Sequence, residues 1–409
     1  MQEVKLQLGE HWNVRKIILR SGSTLRLDHL QRVDFAHAAA ILIPAADAIT
    51  TGPIHADART MKTLGAALDE VPAEEAPIVV AEIQDSRQTR RARALFKGPL
   101  ETVAGDEVIS RLMVQNVRNP GLSQVYAQLL TDAGGTSQIY VRDGSELAGT
   151  PIQQLAYAFP RGVLLGVVRP EGAGFRALLN PANDMRLQSG DRLAVLAPSY
   201  KDAAPPEQLG AEVELKERPA PKSEVRGRRR VLLLGWNHRV PVLLSEFASY
   251  PEERFEIDIA SQVSTSKRKA MVGAHERSTE QLQVRHLELD FTASAYYLET
   301  LEPASYDDVI LLASSRLKPG TESDAQTILG YLLLQDLTPT GAERPRVLVE
   351  LMDPDNVALF EGRPGELIVS PVIISHMLAR VALRRELRCL FDELFSSGGS
   401  EILFRDIAE

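Results

Sequence analysis

The chain has 409 residues, 44% apolar and 25% charged, with a formal net charge of -9 and one cysteine, Cys389. That length and composition fit roughly two to four soluble globular domains, and the acidic balance argues against nonspecific nucleic-acid binding. A lone cysteine excludes an internal disulfide framework, no run approaches the ~20 apolar residues of a membrane-spanning helix, and the polar start MQEVKLQLGEHW lacks the apolar core of a secretory signal.

In chain order, Lys16 to Leu19 is the first short strand pattern and Ala39 to Ile43 the second. A helical pattern follows around Ala56 to Leu68, then a strand from Ile78 to Glu82 and a long helix from Glu107 to about Leu130. Residues 134–200 read as a small α+β unit. Its strands are expected at 138–142, 163–169, 175–179 and 192–197, with a short helix at 151–157 and a turn at QSGDR before the last strand. Proline-bearing, charge-mixed residues 201–228 read as a linker. Beyond it lie strands at 230–234, 255–260, 284–289, 308–313, 346–352 and 366–369. Helical patterns at 240–250, 267–280, 323–337 and about 372–395 separate them. Short apolar strands alternating with helices predict a parallel, doubly wound sheet covered on both faces.

The two halves repeat each other. ADARTMKTLGAALD (56–69) matches SDAQTILGYLLLQD (323–336), VVAEIQD (79–85) matches VLVELMD (347–353), and VISRLM (108–113) matches IISHML (373–378). A constant spacing of about 267 residues marks a duplicated domain. On that spacing nothing in the first copy matches 229–267, so the first copy lacks a first strand, phosphate loop and second strand. GGTSQIYVRD at 134–143 also recurs as GGSEILFRD at 398–406, the first strand of a second small unit.

The order of these units resembles the RCK (regulator of K+ conductance) modules of ligand-gated cation channels, and most nearly the Castor and Pollux channels and their bacterial relatives. The motifs that carry the resemblance are RSGS at 20–23, ADAR at 56–59, VISRLMVQNVRNPGLSQVY at 108–126, LLLGWN at 232–237, SDAQT at 323–327 and ELFSSGGSEILFRD at 393–406. It implies tandem Rossmann-like N-type domains at 1–133, partial at its front, and at 229–397. A C-type α+β domain at 134–200 and the start of a second at 398–409 complete the arrangement. The family's pore-forming membrane region is absent from this chain, which reads as cut at both ends.

The chemistry is sparse. The loop Gly235-Trp236-Asn237-His238-Arg239 holds only the first glycine of a dinucleotide fingerprint, and Ala260-Ser261-Gln262 offers no acid for a ribose. Nucleotide binding is therefore not expected, although Gly235, Trp236, Asn237 and Arg239 remain the candidate cofactor-binding residues, Arg239 as a phosphate contact at a helix start. Asp290, Glu350 and Asp353 follow or end parallel strands, where ligands of open α/β sheets sit, and could offer a hard cation several oxygens. Calcium-sensing RCK modules place acids at the Asp290-like and Glu350-like positions, so the resemblance implies Ca2+ as a candidate ligand. The alternative is that Glu350 and Glu82 pair with a neighbouring basic residue. The eight histidines show no zinc spacing, and no GxSxG, Walker A or Cys-His signature appears.

The reading is a noncatalytic, ligand-sensing regulatory module of a cation channel, on the cytoplasmic side of a membrane. It would form a homo-oligomer through RCK-RCK helix contacts of the gating-ring type, with Glu107 to Leu130 and Val372 to Phe395 as the assembly contacts between paired domains. A TrkA-like soluble subunit of a separate transporter is the alternative. A Rossmann-type NAD-dependent oxidoreductase stands further off, since the glycine loop and an acid–base pair are missing.

Overall fold

A computed structural model describes residues 15–45, 53–67, 74–131, 136–172, 174–205, 227–273, 280–314, 324–338 and 345–404, with 6, 8, 9, 12, 13, 71 and 72. The first copy contains α1 (Leu27–Gln31), β1 (Ala40–Ile43), α2 (Pro53–Ala67), β2 (Ile78–Ile83), α3 (Thr89–Leu95), β3 (Leu100–Ala104), α4 (Gly105–Arg118) and α5 (Leu122–Leu130). The small unit contains β4 (Gln138–Asp143), α6 (Ile152–Leu155), β5 (Val163–Glu171), β6 (Gly174–Leu179) and β7 (Arg192–Ala197). The second copy opens with β8 (Arg228–Leu234), α7 (Val240–Ala248), β9 (Arg254–Ser261), α8 (Thr265–Val272), β10 (Leu282–Glu288), α9 (Ala295–Glu299) and β11 (Asp308–Leu311). It closes with α10 (Ala325–Leu337), β12 (Arg346–Leu351), β13 (Glu366–Val369), α11 (Ser370–Leu383) and α12 (Leu387–Phe395).

Strands β8–β13 form one parallel sheet in the order β10-β9-β8-β11-β12-β13, doubly wound as the strand–helix alternation predicts. The order reverses between β8 and β11, which places the 235–239 loop at the switch point. Strands β1-β2-β3 form a parallel three-stranded sheet. In the repeat register they match β11-β12-β13: Ala40 lies beside Ile78 as Asp308 lies beside Arg346. Strands β4-β7-β5-β6 make the antiparallel sheet of the small unit.

Each copy completes the other. Helix α11 of the second copy lies across β1, β2 and β3 of the first, while α4 packs on α7 and α12, and α5 packs on β13. One continuous apolar core therefore runs from Val80, Val103 and Ile109 to Leu243, Ile374 and Phe391. The helices expected as contacts between paired domains pair the two halves of this chain. Their apolar faces satisfy each other before any second molecule arrives.

Several expected elements differ. Residues 16–19 form no strand; Ile18 is exposed and no described strand lies beside it. The helix expected from Glu107 to Leu130 breaks after Arg118, because Pro120 removes a donor and Gly121 adopts φ +92°. The helix expected from 372 to 395 breaks at Arg384, whose backbone is extended. Of the strand expected at 398–406, the described residues 398–404 are not in a sheet; Ser400 Oγ donates to Leu179 O, and Arg118 pairs with Glu401. Residues 206–226 of the expected linker, Ser323 of the SDAQT motif and 405–409 lie outside the described residues.

The NPGL segment is a clamp between the copies. The Glu366 carboxylate on β13 accepts from Asn116 Nδ2 (2.8 Å), Gly121 N (2.8 Å) and Ser123 Oγ (2.7 Å). A carboxylate holding the Gly121 N–H at the start of α5, together with the Ser123 hydroxyl, is an N-terminal anion cap supplied by the other copy.

Candidate functional site

The strand β8 ends in Gly235, whose φ of +106° and approach to Leu312 O leave no room for a side chain: a Cβ would sit 2.7 Å from that oxygen. Trp236 turns into the sheet end and is buried. Asn237 then reaches across the switch point, its Nδ2 donating to Ala313 O (3.1 Å) and to Glu350 Oε2 (3.0 Å). Its Oδ1 accepts from Arg239 N at 3.0 Å, which starts α7. Arg239 folds back to pair with Glu350 Oε1.

Glu350 is fully buried and has no coordination capacity left. Besides Asn237 and Arg239, it accepts from Ala313 N (3.2 Å) and from Ser370 Oγ (2.7 Å). Asp353 accepts from Asp355 N (3.0 Å) and caps the 3-10 turn at 354–360. Asp290 accepts from Thr292 N (3.0 Å) and Oγ1 (2.8 Å). Burial pushes its pKa up, but the hydrogen bonds from Thr292 and Gln262 outweigh it and hold the carboxylate below its usual range. The structure thus uses the three acids separately. Among the described residues, no group of three or more His, Cys, Asp or Glu could hold a metal ion.

The crevice beyond the strand ends is a cavity of about 280 Å3, lined by Trp236, Ser261, Gln262, Thr292, Ser314 and Gln326 around Val263. Every lining side chain is neutral. Hydroxyl and amide groups dominate, and neither a phosphate-binding cation nor a divalent-metal carboxylate lines it. Gly235, Trp236, Asn237 and Arg239 share one loop, but only Trp236 lines the crevice; Asn237 and Arg239 are turned to Glu350.

Arg268 of α8 was not singled out in the sequence. It is fully buried, donating to Ile259 O and Leu287 O at 2.8 Å each, and its guanidinium lies 5.8 Å from the centre of the Trp236 ring. Burial lowers its pKa. It ties the ends of β9 and β10 together beneath the crevice. Nothing in the pattern TSKRKAMV distinguishes Arg268 from its exposed neighbours, since the carbonyls that hold it come from two other elements.

The second copy's loop also faces the first copy. Burial raises the Glu82 carboxyl, and the Arg239 charge opposes that rise. Burial and the Arg239 charge lower His238 to about 3, against the pull of Asp85. The Glu350 lock and the acidic end of β2 thus share one electrostatic environment.

Residues 106–213 match the family model described as Castor and Pollux, part of voltage-gated ion channel. The chain is 24% identical to the probable ion channel CASTOR of Oryza sativa subsp. japonica, over 95% of this chain and 46% of that protein. It is 23% identical to the ion channel CASTOR of Lotus japonicus, over 99% of this chain and 50% of that protein. The chain therefore spans about half the length of these relatives. In fold it matches the human SLO3 gating ring with a TM-score of 0.68 at 14% identity, covering 93% of this chain and 76% of that one. Among the described residues no helix is long and apolar enough to cross a membrane. Residues 106–213 thus match the Castor and Pollux model, the chain is similar over nearly its whole length to part of the CASTOR ion channels, and its fold is similar to that of the SLO3 gating ring.

Proposed function

We propose that this chain is a noncatalytic regulatory module of a cation channel, on the cytoplasmic side of a membrane, in which occupancy of the switch-point crevice biases how the two copies are held together. The observation that carries this reading is a continuous bridge. Trp236 lines the crevice; the next residue, Asn237, and Arg239 bind Glu350; Glu350 binds Ser370, the first residue of α11; and α11 lies on the first copy's sheet. A ligand that prefers one position of Trp236 would favour one position of α11, which is the differential affinity that regulation requires. The neutral, hydroxyl- and amide-rich lining favours a small polar ligand. Calcium would have to be held by Asp290 with neutral oxygens around it.

A chimera tests the reading. This chain would replace the matching half of the Lotus CASTOR channel, and currents would be recorded in lipid bilayers while small neutral polar probes (glycerol, glucose and glutamine) and, for contrast, calcium and NADH are applied in turn. The expected result is a current that responds to at least one probe and loses that response with Ser370→Ala. A conducting chimera that ignores every probe, or one whose response survives Ser370→Ala unchanged, would sink the proposal.

A further inference from the structure

A cavity of about 750 Å3 opens where the three units of the chain meet. Its walls come from α4 of the first copy, β6 of the small unit and α12 of the second copy, and α12 packs on both of the others. The volume is in the range of small-molecule sites. None of its lining residues is shared with the switch-point crevice.

The cavity joins an apolar surface to charges of both signs. Phe175, Ala177, Leu179, Pro181 and Met185 of the small unit supply the apolar part. Glu107 and Arg111 pair at i, i+4 on α4, and Arg388 and Asp392 pair at i, i+4 on α12. Burial raises the Asp392 carboxyl, Arg388 and Arg111 oppose that rise, and Glu107 adds to it, so the two pairs share one electrostatic environment. Arg388 is held further by its Nε, which donates to Thr102 O at 2.7 Å. These four side chains are committed to one another and to the fold.

Two charges at the same cavity are not committed. Among the described residues, the Glu393 carboxylate on α12 has no hydrogen-bond or ion-pair partner. Arg176 on β6 has only Glu171 near it, at 3.9 Å, with the two side chains 64% and 67% exposed. Such a pair contributes almost nothing to stability. A simple anion drawn to Arg176 would face the carboxylates of Glu107, Glu171, Asp392 and Glu393. A simple cation drawn to Glu393 would face the guanidiniums of Arg111, Arg176 and Arg388. A ligand that carries both signs is complementary at both ends.

We propose that this junction cavity binds a small zwitterion with an apolar body, an apolar α-amino acid or a short peptide, its carboxylate on Arg176 and its ammonium group on Glu393. The ligand touches all three units, so its binding stabilises the arrangement in which they meet. This goes beyond the regulatory reading above, which rests on the crevice at Trp236.

Isothermal titration calorimetry on the chain tests the proposal. The probes are phenylalanine, leucine and leucyl-phenylalanine, with N-acetyl-phenylalanine, which keeps only the carboxylate, and phenylalanine methyl ester, which keeps only the ammonium group. At least one zwitterion is expected to bind with a Kd below about 0.5 mM, and the capped forms of phenylalanine at least ~10-fold more weakly than phenylalanine itself. Arg176→Ala should weaken phenylalanine at least ~10-fold and leave the methyl ester unchanged; Glu393→Gln should weaken it similarly and leave the N-acetyl form unchanged. Circular dichroism checks that both variants fold, and the comparison of capped with uncapped probes needs no variant at all. A tighter dipeptide assigns the site to peptides and a tighter amino acid to free amino acids; either supports the proposal. No zwitterion binding below about 0.5 mM overturns it. So do capped forms that bind as tightly as phenylalanine, or binding that neither variant weakens. Amide exchange places the ligand: β6 and α12 should slow on binding, and slowing confined to the 235–239 loop would overturn the assignment. No channel enters this assay, so its failure leaves the regulatory reading to the chimera.

Discussion

Asp57 and Asp324 hold the same place in their two copies. Asp57, buried on α2, accepts from Gln84 N (2.7 Å) and Asp85 N (3.0 Å) at the end of β2. Asp324, buried just before α10, accepts from Met352 N and Asp353 N at the end of β12, at 2.9 Å each. Asn356 Nδ2 adds a third bond to Asp324. The strand end thus keeps its backbone donors satisfied by the preceding helix, and the 3-10 turn that follows is capped by Asp85 or Asp353. Asp324→Ala would leave buried N–H groups unpaired and is expected to lower unfolding stability by roughly 3 kcal/mol. Urea denaturation checks this, and a loss under about 0.5 kcal/mol would count against it.

Glu350 is the second test. With four donors on a buried carboxylate, Glu350→Gln removes the charge that Arg239 needs and is expected to cost about 3 kcal/mol. Calcium should leave the Tm of parent and variant alike unchanged relative to chelator. A calcium-dependent rise in the parent that vanishes in the variant would restore Glu350 as a cation ligand.

Much of this was legible in the sequence because repetition carries information that periodicity does not. The matched ADAR and SDAQT motifs mark the positions of Asp57 and Asp324. Extending the match of VISRLM with IISHML by a few residues sets ETVA (101–104) opposite ELIV (366–369), which would have revealed β3. The break at Pro120-Gly121 was also readable from its residue types. The break at Arg384 was not, since neither proline nor glycine marks it. Pairing of Glu350 with a basic residue was expected only as the alternative to a cation site, and Arg239 was not named as that residue. Carboxylates at strand ends look the same in sequence whether they face a metal or a neighbouring arginine.

His238 gives a pH prediction. It keeps little exposed surface, and burial with the Arg239 charge lowers it to about 3, against about 6.5 when unfolded. The folded state therefore binds fewer protons between those values, and His238 costs stability as pH falls through that window. Asp57, Asp106 and Asp308, raised by burial to about 6, act the other way: their folded forms bind more protons between about pH 4 and 6. The parent's profile mixes the two, so the difference against His238→Gln isolates the histidine. The variant should gain on the parent by up to about 1 kcal/mol per pH unit from pH 6 downward. A difference that stays flat from pH 7.5 to 5 would show that His238 titrates normally.

Glu366 gives the last prediction, which concerns how tightly the copies are joined. Its carboxylate on β13 holds Asn116, Gly121 N and Ser123, so one side chain of the second copy fixes the joint between α4 and α5 of the first. Glu366→Ala should cost roughly 2–3 kcal/mol in global stability. Its more telling effect is local. Freed from the cap, residues 119–123 and the first turn of α5 should exchange amide hydrogens at least ~10-fold faster, while β8 and β11 keep parent-like protection. Glu366→Gln, which retains one acceptor oxygen, should fall between the two. Unchanged exchange at Gly121 in Glu366→Ala would show that α5 is held by its apolar face alone, through Leu122, Tyr126 and Leu130.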